Sequence, residues 1–140
     1  MRELRQDLWS VKACARVVTT NGMCRRDGSA IMGAGCALQA AKRFPNLPRE
    51  LGVLLRSDGN RVHLFPAYRL ATLPTKHDWR DPSDIDLILA GVRQLVDFAD
   101  QRGWPSVVMT RPGCGLGRLS WAVVGPQLAS VLDDRFIIVH

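Results

Sequence analysis

Short apolar runs and longer amphipathic segments alternate along the chain, and their spacing predicts its strands and helices. Runs of β-branched and other apolar residues predict strands over residues 13–20, 61–65, 70–73, 106–110 and 136–139. Apolar residues at helical spacing predict helices over residues 37–44, 47–55, 84–101 and 121–132. Ser83 and Ser120 are expected to cap the last two helices, and Gly103 to end the third. Strands that alternate with helices predict an α/β sandwich with a mostly parallel or mixed sheet.

The composition is that of a folded protein. Of the 140 residues, 46% are hydrophobic and 23% charged, which excludes wholesale disorder, and the length predicts one domain over residues 1–140. No apolar run approaches the roughly 20 residues of a membrane span, and the first residues do not resemble a secretory signal. We therefore expect a soluble, cytoplasmic monomer with no membrane partner.

The four cysteines, at positions 14, 24, 36 and 114, include no C-x-x-C pair. Their spacing predicts free thiols rather than a zinc or redox motif or a disulfide scaffold. No cluster of ligand-type residues indicates a metal site, and no cofactor is expected.

The charge is positive and unevenly distributed. Lys and Arg number 19 against 13 Asp and Glu, a formal net charge of +6, and ten of the cations but only five of the acids lie in residues 1–60. A basic excess favours an anionic partner such as a nucleotide or a nucleic acid. An arginine-rich genome explains it equally well, because only three of the cations are lysines. Composition alone leaves both interpretations open.

Two glycine-rich loops carry the first candidate chemistry. Residues 32–36 (MGAGC) and residues 111–118 (RPGCGLGR) each stand between an apolar strand and a helix. Glycines let backbone N–H groups approach an anion closely, and a helix that follows adds its positive end. One such loop alone is also explained by a tight turn. Two of them in a short chain favour a site for a diphosphate.

These loops and their flanks resemble the macrodomain family of ADP-ribose-binding modules. Residues 17–21 (VVTTN), 32–37 (MGAGCA) and 111–121 (RPGCGLGRLSW) match its motifs in order, and residues 7–9 (DLW) are similar to its start, with Gln6 in place of a glycine. The resemblance implies a three-layer α/β/α sandwich with a mixed central sheet. It also implies that Asp7 receives the adenine amino group.

Residues 73–83 (LPTKHDWRDPS) are similar to the segment that carries the catalytic lysine in one branch of that family. That branch contains the terminal ADP-ribose protein glycohydrolase and the DarG antitoxin. The resemblance therefore assigns Lys76 to the anomeric carbon of the distal ribose, where a lysine can stabilise a departing anionic group or attack the carbon. The protein-directed enzyme has an acidic residue where this chain has Gly117. Asp78 or Asp81 could supply a carboxylate instead, although both also fit solvated loop positions.

The resemblance gives catalytic roles to Lys76 and Asn21. The residues that it assigns to ligand binding are Asp7, Leu8, Gly33, Ala34, Gly35, Cys36, Thr110, Pro112, Gly113, Cys114, Gly115, Leu116, Gly117, Arg118 and His140. Trp79 stands in a polar loop, where it either stacks on a base or ribose or packs against the sheet. His77 either lines the site or lies outside it.

The function that the resemblance implies is that of an ADP-ribosyl glycohydrolase, a hydrolase that binds ADP-ribose and removes it from a conjugate. The basic excess and the Lys76 loop favour ADP-ribosylated single-stranded DNA, linked through thymidine, over a glutamate-linked protein. A non-catalytic ADP-ribose reader and a phosphatase or deacetylase acting on ADP-ribose esters stay open as alternatives. A toxin ADP-ribosyltransferase is the counterpart expected by analogy with the antitoxin.

Overall fold

Six strands form one sheet with two helices on each face, in a computed structural model that describes residues 1–140. The strands are β1 (Arg2–Leu4), β2 (Ala15–Asn21), β3 (His63–Phe65), β4 (Leu70–Lys76), β5 (Val107–Thr110) and β6 (Phe136–Val139). The helices are α1 (Gly35–Arg43), α2 (Leu47–Asp58), α3 (Ile85–Arg102) and α4 (Trp121–Ala129). The strand order is β1-β6-β5-β2-β4-β3, and every neighbouring pair is parallel except antiparallel β3 and β4.

Each face of the sheet has its own hydrophobic core, because successive residues of a strand point to opposite faces. In β2, Val17 packs in the core beneath α3 and α4, whereas Val18 packs in the core beneath α1 and α2. Residues such as Leu95 of α3 and Leu51 of α2, both at most 1% exposed, fill the two cores. The predicted α/β/α sandwich with a mixed sheet is therefore confirmed. None of the helices is long and apolar enough to cross a membrane.

The parallel strands bring their carboxyl ends to one edge of the sheet. Asn21 at the end of β2 pairs with Lys76 at the end of β4, and Thr110 of β5 pairs with Val139 of β6. The two glycine-rich loops follow β2 and β5, so both begin at this edge. Such an edge is where α/β sheets usually place their ligands.

Several boundaries differ from those predicted. The cap of α3 is Asp84 rather than Ser83, since the Asp84 carboxylate accepts the backbone N–H groups of Asp86 and Leu87 at 2.9 and 3.3 Å. Ser120 does precede α4, but its side chain makes no capping hydrogen bond. Strand β1 and the 3-10 turn Pro66–Tyr68 were not predicted, and α4 ends three residues earlier than expected. Gly103 ends α3 in the left-handed conformation, as predicted.

Candidate active site

A cavity of about 990 Å³ opens at the carboxyl edge of the sheet, between the two glycine-rich loops. Every residue predicted to form the site lines this cavity except Asp7, Leu8 and Pro112. The Asp7 carboxylate is exposed and accepts the backbone N–H of Trp9 at 2.9 Å. Leu8 is 4% exposed and belongs to the core beneath α1 and α2. Their assignment to ligand binding stays a prediction.

The first glycine-rich loop presents a row of free hydrogen-bond donors. The backbone N–H groups of residues 33–37 donate no hydrogen bond within the protein, and the Ala34 side chain cannot cap α1. Gly35, the first residue of α1, has a φ of +57°, a conformation that favours glycine. Consecutive free N–H groups at a helix start form a cradle for an anion.

The second glycine-rich loop offers a similar cradle. Hydrogen bonds from Arg118 N to Gly115 O (3.2 Å) and from Leu119 N to Gly113 O (2.8 Å) fold the loop on itself. The N–H groups of Gly115, Leu116 and Gly117 donate to nothing in the protein. Both loops line the same cavity, so their donors can hold two neighbouring phosphates.

Lys76 and Asn21 lie side by side between the loops. Lys76 Nζ donates to the carbonyl oxygens of Trp79 (3.3 Å) and Leu116 (3.5 Å). The Asn21 amide donates to Ile31 O and accepts from Met23 N, both at 2.9 Å. An ammonium has three N–H donors and an amide two, so each side chain keeps one N–H for a ligand.

The cavity wall is cationic. It includes Lys76, Arg80, Arg111 and Arg118 and no Asp or Glu. Asp78 lies outside it and pairs with Arg80, Oδ2 to Nη2 at 2.6 Å, an interaction that lowers the Asp78 pKa to about 2. A wall with this charge suits an anionic ligand.

Gly117 cannot carry a side chain in this arrangement. A Cβ there would lie 2.1 Å from Ser83 Oγ and 2.5 Å from Gly113 O. Ser83 N also donates to Gly117 O at 2.9 Å, which holds the start of α3 against the loop. The space that an acidic side chain would need is therefore filled by the buried Ser83.

Glu3 of β1, which does not line the cavity, contacts two residues that do, Arg111 and Trp121. The Arg111 guanidinium lies 5.0 Å from the centre of the Trp121 ring, and Trp121 Nε1 donates to Glu3 Oε1 at 3.0 Å. Arg111 also reaches Glu3, at 3.4 Å. His140 lines the same cavity, and its backbone N–H donates to Leu4 O.

The structure also places the cysteine and histidine candidates and the residue types that could bind a metal. Burial raises the pKa of the Cys114 thiol, which disfavours the thiolate that a nucleophile needs. Cys36 Sγ accepts the backbone N–H of Thr19 at 3.3 Å. His77 contacts Asn60, Nδ1 to Nδ2 at 3.1 Å, and does not line the cavity. No group of three or more His, Cys, Asp or Glu side chains could hold a metal ion.

The predicted set of site residues omitted twelve residues that line the cavity. They are Thr19, Thr20, Ile31, Met32, Ala37, Thr75, Trp79, Arg80, Ser83, Arg111, Trp121 and Val139. Ten of them lie inside the motif segments 17–21, 32–37, 73–83 and 111–121, so those segments as a whole were the signal that could have found them. Ile31 and Val139 stand next to a motif segment or to a predicted site residue.

The curated proteins that are similar to this chain are all named DNA ADP-ribosyl glycohydrolases, one of them fused to a transferase. A DNA ADP-ribosyl transferase–DNA ADP-ribosyl glycohydrolase fusion protein of Thermosipho africanus is 39% identical over 92 residues, 65% of this chain and 24% of that protein. A DNA ADP-ribosyl glycohydrolase of Thermus aquaticus is 27% identical over 133 residues, 88% of this chain and 34% of that protein. The chain spans about a quarter to a third of the length of these curated relatives. No family model matches it.

Solved structures agree over nearly the whole chain. The macrodomain of Mycobacterium tuberculosis DarG superposes with a TM-score of 0.85 and 25% identity, over 99% of this chain and 95% of that one. The macrodomain of Thermus aquaticus DarG gives 0.80 and 26%, over 99% and 96%. Thermosipho africanus DarTG in complex with ADP-ribose shares the fold, with a TM-score of 0.81 and 23% identity over 98% of this chain and 40% of that one. The chain therefore has the macrodomain fold, and the proteins that it resembles in sequence and in structure are DNA ADP-ribosyl glycohydrolases and DarG macrodomains.

Proposed function

We propose that this macrodomain is an ADP-ribosyl glycohydrolase that binds ADP-ribose in the cavity and removes it from DNA. The observation that carries the proposal is the cavity wall, where two cradles of free N–H groups flank Lys76 and no acidic side chain is present. The names of the curated relatives, which are DNA ADP-ribosyl glycohydrolases, support DNA as the conjugate.

Each part of the ligand has a chemical partner in this proposal. The diphosphate accepts hydrogen bonds from the two glycine-rich loops, and the remaining amide N–H of Asn21 binds a hydroxyl of the distal ribose. The remaining N–H of Lys76 meets the group that leaves the anomeric carbon. The bond from that carbon to the leaving group breaks with its electron pair on the leaving group. The oxygen of a water molecule forms the new bond to the carbon, and the proton that this water releases neutralises the departed anion.

Lys76 acts as a positive charge rather than as a nucleophile in this scheme. Two carbonyl oxygens accept its N–H groups, an arrangement that suits an ammonium and leaves its third N–H for the departing anion. Placing a positive charge where negative charge develops is a large source of catalysis in a partly enclosed site.

The test compares the wild type with Lys76→Ala on two substrates, ADP-ribosylated single-stranded DNA and automodified protein. We expect release from DNA that falls at least about a hundredfold in Lys76→Ala. Lys12→Ala is the matched control, since Lys12 is exposed and lies outside the cavity. Binding of ADP-ribose without release from either substrate would identify a reader instead, and unchanged release by Lys76→Ala would exclude the role of Lys76.

We also propose that the counterpart is a DNA ADP-ribosyltransferase acting as a toxin. The Thermosipho africanus relative supports this, because its name joins both activities in one chain. Co-expression with such a transferase in a bacterial host should allow growth with the wild type and not with Lys76→Ala. Equal growth with both proteins would contradict the pairing.

A further inference from the structure

Two large apolar side chains stand exposed at the mouth of the cavity. Trp79 is 52% exposed and Leu116 is 69% exposed, and both line the cavity. The other large hydrophobic residues with comparable exposure, Val53 and Val123, lie on helices outside it. We call Trp79 and Leu116 the mouth pair.

Lys76, the residue proposed to act at the anomeric carbon, contacts both residues of the mouth pair. Its Nζ donates to the backbone carbonyls of both residues, at 3.3 Å for Trp79 and 3.5 Å for Leu116. Leu116 stands 40 positions after Lys76 in the chain, so the amine joins two separate loops across the cavity mouth. A group that leaves the anomeric carbon beside Lys76 therefore emerges beside these two residues, which line the same cavity.

The surroundings of the mouth pair fit a planar group attached to phosphates. The Arg80 guanidinium lies 6.0 Å from the centre of the Trp79 ring, and Arg118 is an exposed part of the same wall. Arg80 is oriented by Asp78 through two hydrogen bonds, at 3.0 and 2.6 Å. Aromatic rings framed by cations are the usual means of holding bases of single-stranded nucleic acid. A glutamyl side chain has no flat apolar surface to place there.

We propose that Trp79 and Leu116 bind the nucleobase that carries ADP-ribose and hold it, unstacked from a single strand, against Lys76. This inference rests on the proposed function and adds the residues that select a base as leaving group. A base inside a duplex cannot lie against Trp79 without being unpaired and extruded. Single-stranded DNA should therefore be the better substrate.

The experiment measures KM and kcat for release of ADP-ribose from a thymidine-linked single-stranded oligonucleotide, and Kd for free ADP-ribose. Trp79→Ala should raise KM by about 5- to 150-fold, the loss expected for one stacked base, and Leu116→Ala by a smaller factor. Trp79→Phe, which keeps an aromatic face, should recover most of the loss. Kd for free ADP-ribose should stay within about twofold in the two Trp79 variants, which also shows that they fold.

Val53→Ala is the matched control for Leu116→Ala, because Val53 is 50% exposed on α2 and does not line the cavity. If the wild type releases ADP-ribose from DNA and the mouth-pair variants keep its KM, the base site is wrong and the glycohydrolase stands. A loss in Trp79→Ala that is equally large on a glutamate-linked ADP-ribosyl peptide would also overturn a base-specific site.

A binding experiment tests the base site if the wild type releases no ADP-ribose. Fluorescence anisotropy then compares binding of the ADP-ribosylated oligonucleotide with competition by free ADP-ribose. Tighter binding of the oligonucleotide that is lost in Trp79→Ala supports the base site although the catalytic proposal has failed. Equal affinity for the two ligands in the wild type overturns the base site.

Discussion

Replacement of Gly117 by alanine should destabilise the protein through packing alone. The new Cβ would lie 2.1 Å from Ser83 Oγ, 2.5 Å from Gly113 O and 2.8 Å from Gly113 Cα. Rotation of the Ser83 side chain can relieve the first contact, because its hydroxyl has no hydrogen-bond partner to lose. The other two contacts are with backbone, and only movement of the loop relieves them.

The expected loss of stability in Gly117→Ala follows from these two kinds of contact, one with a side chain and two with backbone. Overpacking of a well-packed site costs about 1–3 kcal/mol, and two rigid backbone contacts place Gly117→Ala near the upper end, about 3 kcal/mol. Because the Ser83 hydroxyl can rotate away, the cost should fall by no more than about 0.5 kcal/mol in a Ser83→Ala background. Gly117→Asp meets the same contacts, so it should lose stability without gaining a catalytic carboxylate.

Urea denaturation of the four proteins of this double-mutant cycle measures both quantities. The matched control is Gly115→Ala in the same loop, where a Cβ would meet nothing within 4 Å. Neither glycine has a positive φ, so the difference between the two variants isolates packing from backbone strain. Equal stability of Gly117→Ala and Gly115→Ala would refute the reasoning.

Two further predictions concern the segment between β4 and α3. Asp84→Ala should lower the free energy of unfolding by about 1 kcal/mol, because two N–H groups of α3 lose their acceptor. Asp97→Ala, a change at an exposed position of the same helix, should have little effect in the same urea denaturation assay. The ion pair with Arg80 lowers the Asp78 pKa from 3.8 to about 2, so its contribution to stability is present above about pH 4 and is lost as pH falls towards 2. Thermal midpoints of the wild type and Asp78→Asn should therefore converge over that interval, and a constant difference would contradict the assignment.

Local signals in the sequence were sufficient for most of the fold. The β-branched run of β2 buries four of its seven residues and the apolar run of β5 buries three of its four, and both runs can be recognised without knowing the neighbouring strands. Gly103 could be predicted because a left-handed helix end needs glycine. The glycine-rich loops were found for the same reason, since close turns after strands restrict the choice of residue.

Contacts between distant parts of the chain could not be predicted in this way. Strand β1 consists of exposed residues without a strand pattern, and it forms because it pairs with β6 at the other end of the chain. Ser83 and Asp84 are both good caps, so the sequence does not decide between them. Ser83 is excluded from capping by its burial against Gly117, more than thirty positions away.

The absence of acidic side chains from the cavity wall bears on the order of events in the proposed reaction. A carboxylate beside the anomeric carbon would activate water before the bond breaks. Here Gly117 excludes one sterically, and Asp78 is held by Arg80 outside the wall. The wall can instead stabilise the departing anion through Lys76. We therefore expect the leaving group to depart first and water to add to the anomeric carbon afterwards. A nucleobase can spread negative charge over its ring, so it can depart before water adds more easily than a poorer leaving group can. The mouth pair beside Lys76 would hold the base in place while it departs.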